Sequence, residues 1–267
     1  TEPLTYNITY ELNGGTNSTE NPSVYNKGNT ITLSFPTKED YMFAGWFTDP
    51  EFKNFVTEIK ANSVGDITLY AKWIVIEGYF SFELIEDSYC ITGGPKAFFA
   101  HLYIPSTYKG LPVTSIGDDA FEKHDNIVYV YIPDSVTSIG WRAFYGCSSL
   151  ISIELPKGVT SIGNSAFYGC SNLVSIQLPT SVTSMGSSVF CKCSSLTSIE
   201  LPEGVTSIGN STFSGCSNLT SIELSENVTT IGEKAFHLCT KLSIIAPKGS
   251  YAETYANNNA ITYVPKE

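Results

Sequence analysis

One 23-residue phrase, written six times without a gap, constrains this chain more than any other feature; its copies begin at Val113, Val136, Val159, Val182, Val205 and Val228. The shared text is V-T-S-I-G-x-x-A-F-x-x-C-x-x-L-x-x-I-x-L-P-x-x. A fixed period of about 20–50 residues means a stack of similar units, none of which can bury its apolar face alone. Ile153 and Leu155, Ile176 and Leu178, Ile199 and Leu201, and Ile222 and Leu224 hold the I-x-L places. These are alternate positions of a short strand, so both side chains turn inward and their neighbours turn out. Coils stacked at about 4.8 Å then pair as parallel, in-register strands. Phe144, Phe167, Phe190, Phe213 and Phe236 form a second inward column. Gly140, Gly163 and their equivalents follow V-T-S-I, where a corner with positive φ is expected.

Five of the seven cysteines are a single repeated position: Cys147, Cys170, Cys193, Cys216 and Cys239. Zinc sites use close C-x-x-C pairs, and the chain has none. Stacked equivalents lie within disulfide reach at Cα, but their Cβ vectors run parallel, which disfavours bridging. His124 fills the place in the first copy, so a thiol is not obligatory there. The expected role is a column of buried free thiols acting as small apolar packing. Cys90 and Cys191 stand outside the column, and their pairing is left open.

Residues 1–73 have a different texture. Ile8, Tyr10 and Leu12 alternate with polar neighbours, as do Ile31, Leu33 and Phe35 before Pro36, and 41–47 and 67–73 are also strand-like. Tyr41, Phe43, Trp46, Phe47, Tyr70 and Trp73 supply a dense aromatic set, expected to be core in so small a domain. Residues 74–112 read as a bridge and a degenerate first coil. Leu102, Ile104 and Pro105 match the end of the repeat, with seven residues instead of two before the next Val. Tyr79, Phe80, Phe82, Tyr89, Phe98 and Phe99 are expected to plug the open end, since a terminal coil needs a cover. After six repeats over 113–250, residues 251–267 read as the second cover: a helix over 251–258, then a strand holding Ile261, Tyr263 and Val264. The last repeat strand, at Ile245-Ala246-Pro247, looks shortened.

Two stretches of text resemble known families. "ITYELNGG", "YMFAGWFTDPEF" and "ITLYAKW", with the Gly45-Trp46 pair and the closing Ala71-Lys72-Trp73, resemble the Listeria–Bacteroides repeat, also called the internalin B-repeat. That resemblance implies a β-grasp-like module of bacterial surface proteins. L-x-x-I-x-L-P-x-x-V-T-S-I-G-x-x-A-F-x-x-C resembles the BspA-like, or Treponema pallidum-type, leucine-rich repeat. Met185, Val189, Thr212 and His124 are its departures. The expected chain is predominantly β: a small β-grasp-like domain, then a right-handed leucine-rich-repeat solenoid over 74–267 with short parallel strands and short helical turns. The BspA-like resemblance implies adhesion to host extracellular-matrix proteins or to other bacteria.

Charge narrows the function classes. Fifteen basic residues against 26 acidic ones give a net charge of −11, a field that repels nucleic-acid phosphates and anionic lipid. No apolar run approaches the roughly 20 residues of a membrane span. No signal peptide is read at the opening Thr1-Glu2-Pro3-Leu4, and a start after a removed leader is an expectation only. With I-x-L inward, one outward column reads Tyr129, Ser152, Ser175, Ser198, Ser221 and the next Tyr131, Glu154, Gln177, Glu200, Glu223. Tyr129, Tyr131, Glu154, Gln177, Glu200 and Glu223 are the candidate ligand-binding residues, because hydroxyls, carboxylates and tyrosines on an open sheet suit a protein or glycan partner. Glu200 and Glu223 have the spacing of retaining-glycosidase carboxylates, but an open ladder supplies no cleft and no raised pKa. A Ca²⁺ site on the same ladder lacks the Asp-rich carbonyl loop that completes such sites. His101, His124 and His237 fall in no catalytic motif. The expectation is therefore no enzyme, no cofactor and no metal. The BspA-like resemblance adds the expectation of an extracellular or cell-surface monomer that recognises a host extracellular-matrix or cell-surface glycoprotein, or another bacterial surface. A spacer that holds another domain away from the cell wall is the alternative.

Overall fold

The computed structural model describes residues 4–94 and 100–266. Phe98 and Phe99, assigned above to the end plug, lie outside the described residues. The chain divides into two compact units, Thr1–Gly78 with Thr107–Gly110, and Tyr79–Ser106 with Leu111–Glu267.

The first unit is built on a five-stranded sheet. Thr5–Glu11 runs parallel to Ile67–Val75 and antiparallel to Val24–Asn26, while Tyr41–Phe47 lies antiparallel to Ile67–Val75 and Phe55–Val56. Trp46 is 1% exposed, with its Nε1 donating to the Ser34 carbonyl at 3.1 Å and its ring edge-on to Tyr10 and Phe43. It is core, as its dense aromatic context indicates. Gly45 beside it has φ +119°, and a Cβ there would strike the Phe55 ring at 2.4 Å, so this pair tolerates only glycine. The unit reaches past residue 73 because Ile74 and Val75 continue the strand and buried Ile76 donates its N–H to Asp40.

The second unit is a stack of coils. One side is an eight-stranded parallel sheet: His101–Tyr103, Tyr129–Tyr131, Ser152–Glu154, Ser175–Gln177, Ser198–Glu200, Ser221–Glu223, Ser243–Pro247 and Thr262–Lys266. Register is one coil per strand, so Ile176 pairs with Ile199 and Ile199 with Ile222. A second side carries the V-T-S-I segments as short parallel strands, begun by the Ser81–Ile85 and Ser88–Gly93 hairpin. The third side is turns. Among the described residues the one α-helix is Tyr251–Asn258, N-capped by Ser250, whose Oγ accepts from Glu253 N.

The interior is a set of columns. Phe121, Phe144, Phe167, Phe190, Phe213 and Phe236 stack face to face at 5.4–5.6 Å, and Tyr255 closes the column edge-on at 6.0 Å. The five column cysteines are buried free thiols, and so are Cys90 and Cys191. Each column thiol also donates to a phenylalanine carbonyl of the preceding coil at 3.0–3.2 Å, from Cys147 to Phe121 O through Cys239 to Phe213 O. Cysteine therefore adds a weak donor to its small apolar volume.

Two sequence expectations are corrected. The Gly140 column does not adopt positive φ; the left-handed residues are Arg142, Ser165, Ser188 and their equivalents, with Gly146, Gly169, Lys192 and Gly215 four places on. Glycine is needed because a Cβ at Gly140 or Gly163 would sit 2.6 Å from backbone atoms of the coil before. The last repeat strand is not shortened: Ser243–Pro247 is five residues long, because Thr262–Lys266 pairs along all of it.

Candidate recognition face

The alternation that buries Ile153, Ile176, Ile199 and Ile222 pushes their neighbours into solvent. Glu154, Gln177, Glu200 and Glu223 are exposed, and they pair in register, Glu154 with Gln177, Gln177 with Glu200, Glu200 with Glu223. Ser175 and Ser198 are exposed beside them, with Ser152 and Ser221 half-buried. Glu223 is held by an ion pair with Lys266 of the final strand. The pair raises the Lys266 pKa, chiefly through the hydrogen bond to Glu223. Among the described residues Glu200 makes no ion pair of its own and feels Lys266 only at longer range, so the two carboxylates differ in availability although they share a column.

The tyrosine end is larger than the outward columns of the repeats suggested. His101 pairs with Tyr129 and Tyr103 with Tyr131 across the first two strands. The His101 ring stacks on Tyr129 at 4.7 Å, and Tyr103 stacks on Tyr131 at 4.5 Å. His101 Nδ1 lies 3.3 Å from the Tyr131 hydroxyl, with the donor set by the imidazole tautomer. Tyr129 and Tyr131 are half-buried and Tyr103 is buried. Burial pushes the Tyr131 hydroxyl up to about 12, drives Tyr103 higher still, and lowers His101. The cluster is an aromatic pad with hydroxyl donors, adjoining an acidic stripe. His101 and Tyr103 were absent from the candidates, yet the signal was present: if Leu102 and Ile104 are the inward pair, the residues before and between them face out. At the other end of the same column Ile245 and Val264 follow Glu223, so the stripe ends on apolar side chains.

The carboxylates of this face stand in the open, and among the described residues no group of three or more His, Cys, Asp or Glu side chains is placed to hold a metal ion. Among those residues, too, no helix is long and apolar enough to cross a membrane.

A parallel solenoid with a 23-residue period, a Phe–Cys interior and one open sheet defines a class, that of leucine-rich-repeat proteins. The chain belongs to the BspA type leucine rich repeat family, which matches residues 114–248 in six copies. The Listeria-Bacteroides repeat domain matches residues 6–72. In structure the chain is similar to a leucine rich repeat protein of T. pallidum, with a TM-score of 0.53 and 28% identity over 70% of this chain and 96% of that one. It is also similar to a leucine rich cell surface protein of Faecalibacterium prausnitzii A2-165, with a TM-score of 0.53 and 32% identity over 63% of this chain and 53% of that one. In sequence, 80 residues are 40% identical to a protein of Evansella cellulosilytica named as a Gly-rich membrane protein; they make up 29% of this chain and 9% of that relative. The chain thus spans about a tenth of the length of the curated relatives it matches. Proteins of these two repeat families are typically surface-associated, and the leucine-rich-repeat fold typically serves protein interaction without catalysis.

Proposed function

We propose that this chain is the extracellular part of a bacterial surface protein and that the open sheet of its solenoid recognises a macromolecule, with adhesion as the outcome. The observation behind this reading is the split within each strand. The central residue, Val130 and then Ile153, Ile176, Ile199 and Ile222, is buried, whereas two in-register columns of hydroxyl, carboxylate, amide and tyrosine side chains stay exposed or half-buried across five coils. A repeated polar ladder beside an aromatic pad can hydrogen-bond and stack along an extended partner. The partner class is a matrix or cell-surface glycoprotein of the host, or the surface of another bacterium. Net charge of −11 disfavours nucleic acid and anionic lipid as that partner.

The test is binding of the chain to an array of matrix glycoproteins and glycans, with and without Ca²⁺. Saturable binding to one class, unchanged by Ca²⁺, is the expected result. A folded sample that binds nothing would leave the solenoid as a spacer.

A further inference from the structure

The turn side of the solenoid holds a hydrogen-bond ladder that runs one way only. Asp119, Phe121 and Lys123 donate their N–H groups to the carbonyls of Trp141, Ala143 and Tyr145 in the next coil at 2.7–2.9 Å. Arg142, Phe144 and Gly146 do the same to Asn164, Ala166 and Tyr168, and the pattern repeats at every interface through Ser211, Phe213 and Gly215, which reach Glu233, Ala235 and His237. The cause is local. The first and last donors of each set have positive φ, as at Arg142 (+53°) and Gly146 (+70°), so alternate peptide planes turn the same way. All donors then face the C-terminal end of the stack and all acceptors face the N-terminal end.

The sixth coil keeps this backbone, with φ +56° at Lys234 and +63° at Leu238. Its three donors, the N–H groups of Lys234, Phe236 and Leu238, have no acceptor among the described residues. All three residues line a groove of about 550 Å³ whose other wall includes Tyr255, Asn259, Ile261 and Thr262. Tyr255 covers the ring of Phe236, which ends the apolar column, but nothing described takes the polar ladder beyond it. Leu238 stands 60% exposed at the rim, next to exposed His237.

We propose that this groove is a docking site for a peptide backbone: a segment of a partner chain that offers three carbonyls at alternate residues to the N–H groups of Lys234, Phe236 and Leu238. The occupant's chemistry is read from the five interfaces inside the molecule, where the same donors always meet carbonyls spaced in that way. It is recognition by main-chain pairing, as in strand addition to a sheet edge, but on a turn ladder instead of a strand. Leu238 supplies apolar contact for a side chain of the incoming segment. The three donors lie on the turn side of the coil, away from the Glu154–Glu223 stripe, although the groove's far wall reaches Thr262 at the start of the last sheet strand.

The experiment is amide-resolved NMR of the chain titrated with a blocked peptide copying residues 163–169, carrying Phe167→Ala because Tyr255 occupies the ring position. Saturable shifts at the amides of Lys234, Phe236 and Leu238, with companions at Tyr255 and Thr262, are expected. Leu238→Glu, which places a carboxylate over the donors, should weaken the peptide by at least about tenfold while thermal stability stays near that of the parent. No shift up to the solubility limit of the peptide overturns the proposal. So does an equal response to acetate alone, which would mean a simple anion site, and so does undiminished binding to Leu238→Glu.

Discussion

Gly163→Ala separates close backbone approach from left-handed φ as the reason for the glycine column. A Cβ at Gly163 would lie 2.6 Å from Gly140 C and Trp141 N, and 2.8 Å from Gly140 O. Comfortable contact for such atoms begins near 3.5 Å, so the two coils would have to part by roughly 0.9 Å. Three bonds cross that interface close by: Gly163 N to Ile139 O at 2.8 Å, Arg142 N to Asn164 O at 3.0 Å and Phe144 N to Ala166 O at 2.8 Å. Stretching two or three of them past bonding range costs about 0.5–1.5 kcal/mol each. Overpacking adds about 1–3 kcal/mol, for a total on the order of 2–7 kcal/mol. Gly169→Ala is the internal control. There φ is +72°, but the nearest atom to a new Cβ is 3.7 Å away. Lys192 already holds the equivalent place in the next coil at φ +61°. That change carries only the left-handed penalty, about 1–2 kcal/mol. Urea unfolding followed by circular dichroism should place Gly163→Ala well below Gly169→Ala. Equal losses, or a larger loss at Gly169, would refute the close-approach account.

Three further outcomes follow from the same packing. Phe167, fully buried between two stacked rings, should cost about 3–5 kcal/mol as Phe167→Ala. Glu200→Ala on the open sheet should shift the urea midpoint hardly at all, and an unfolded Glu200→Ala would show the inward and outward assignment off by one residue. The thiol column should make stability fall in alkali: burial pushes Cys147 up to about 12 and Cys239 up to about 11, against roughly 8.5 for an unfolded cysteine. Because the folded state holds these protons more tightly, the contribution is intact below the unfolded value and is lost as pH climbs from there through the folded ones. A melting temperature constant from neutral pH to about 11 would contradict this, and so would rapid alkylation of native Cys170 at pH about 8.

Much of the architecture was legible because the chain states it repeatedly. The buried Ile and Leu places, the phenylalanine column, the free thiols and the closing helix at Tyr251–Asn258 could all be read from spacing. What escaped was whatever depends on two coils at once. Gly140 looks like a corner residue in one copy; only stacking shows that the backbone of the previous coil occupies the space of a Cβ. Leu242 is followed by one residue instead of two before Ile244, which mimics a short strand until a partner strand pairs along it. His101 and Tyr103 precede the regular copies, and the long insertion before Val113 hid their membership of the outward columns. The one-way ladder had no signature, since its donors are main-chain groups carried by residues as different as Asp119, Arg142 and Ser165.

The central claim is recognition through the open sheet, and the most direct measurement compares three proteins on the ligand class that the array identifies. These are the parent chain, Tyr131→Ala with Glu200→Ala on the sheet, and Tyr168→Ala on the turn side, each verified as folded by its melting curve. Loss of binding in the sheet variant, with Tyr168→Ala matching the parent, is the predicted result. Equal binding by all three would place the ligand elsewhere and contradict the account.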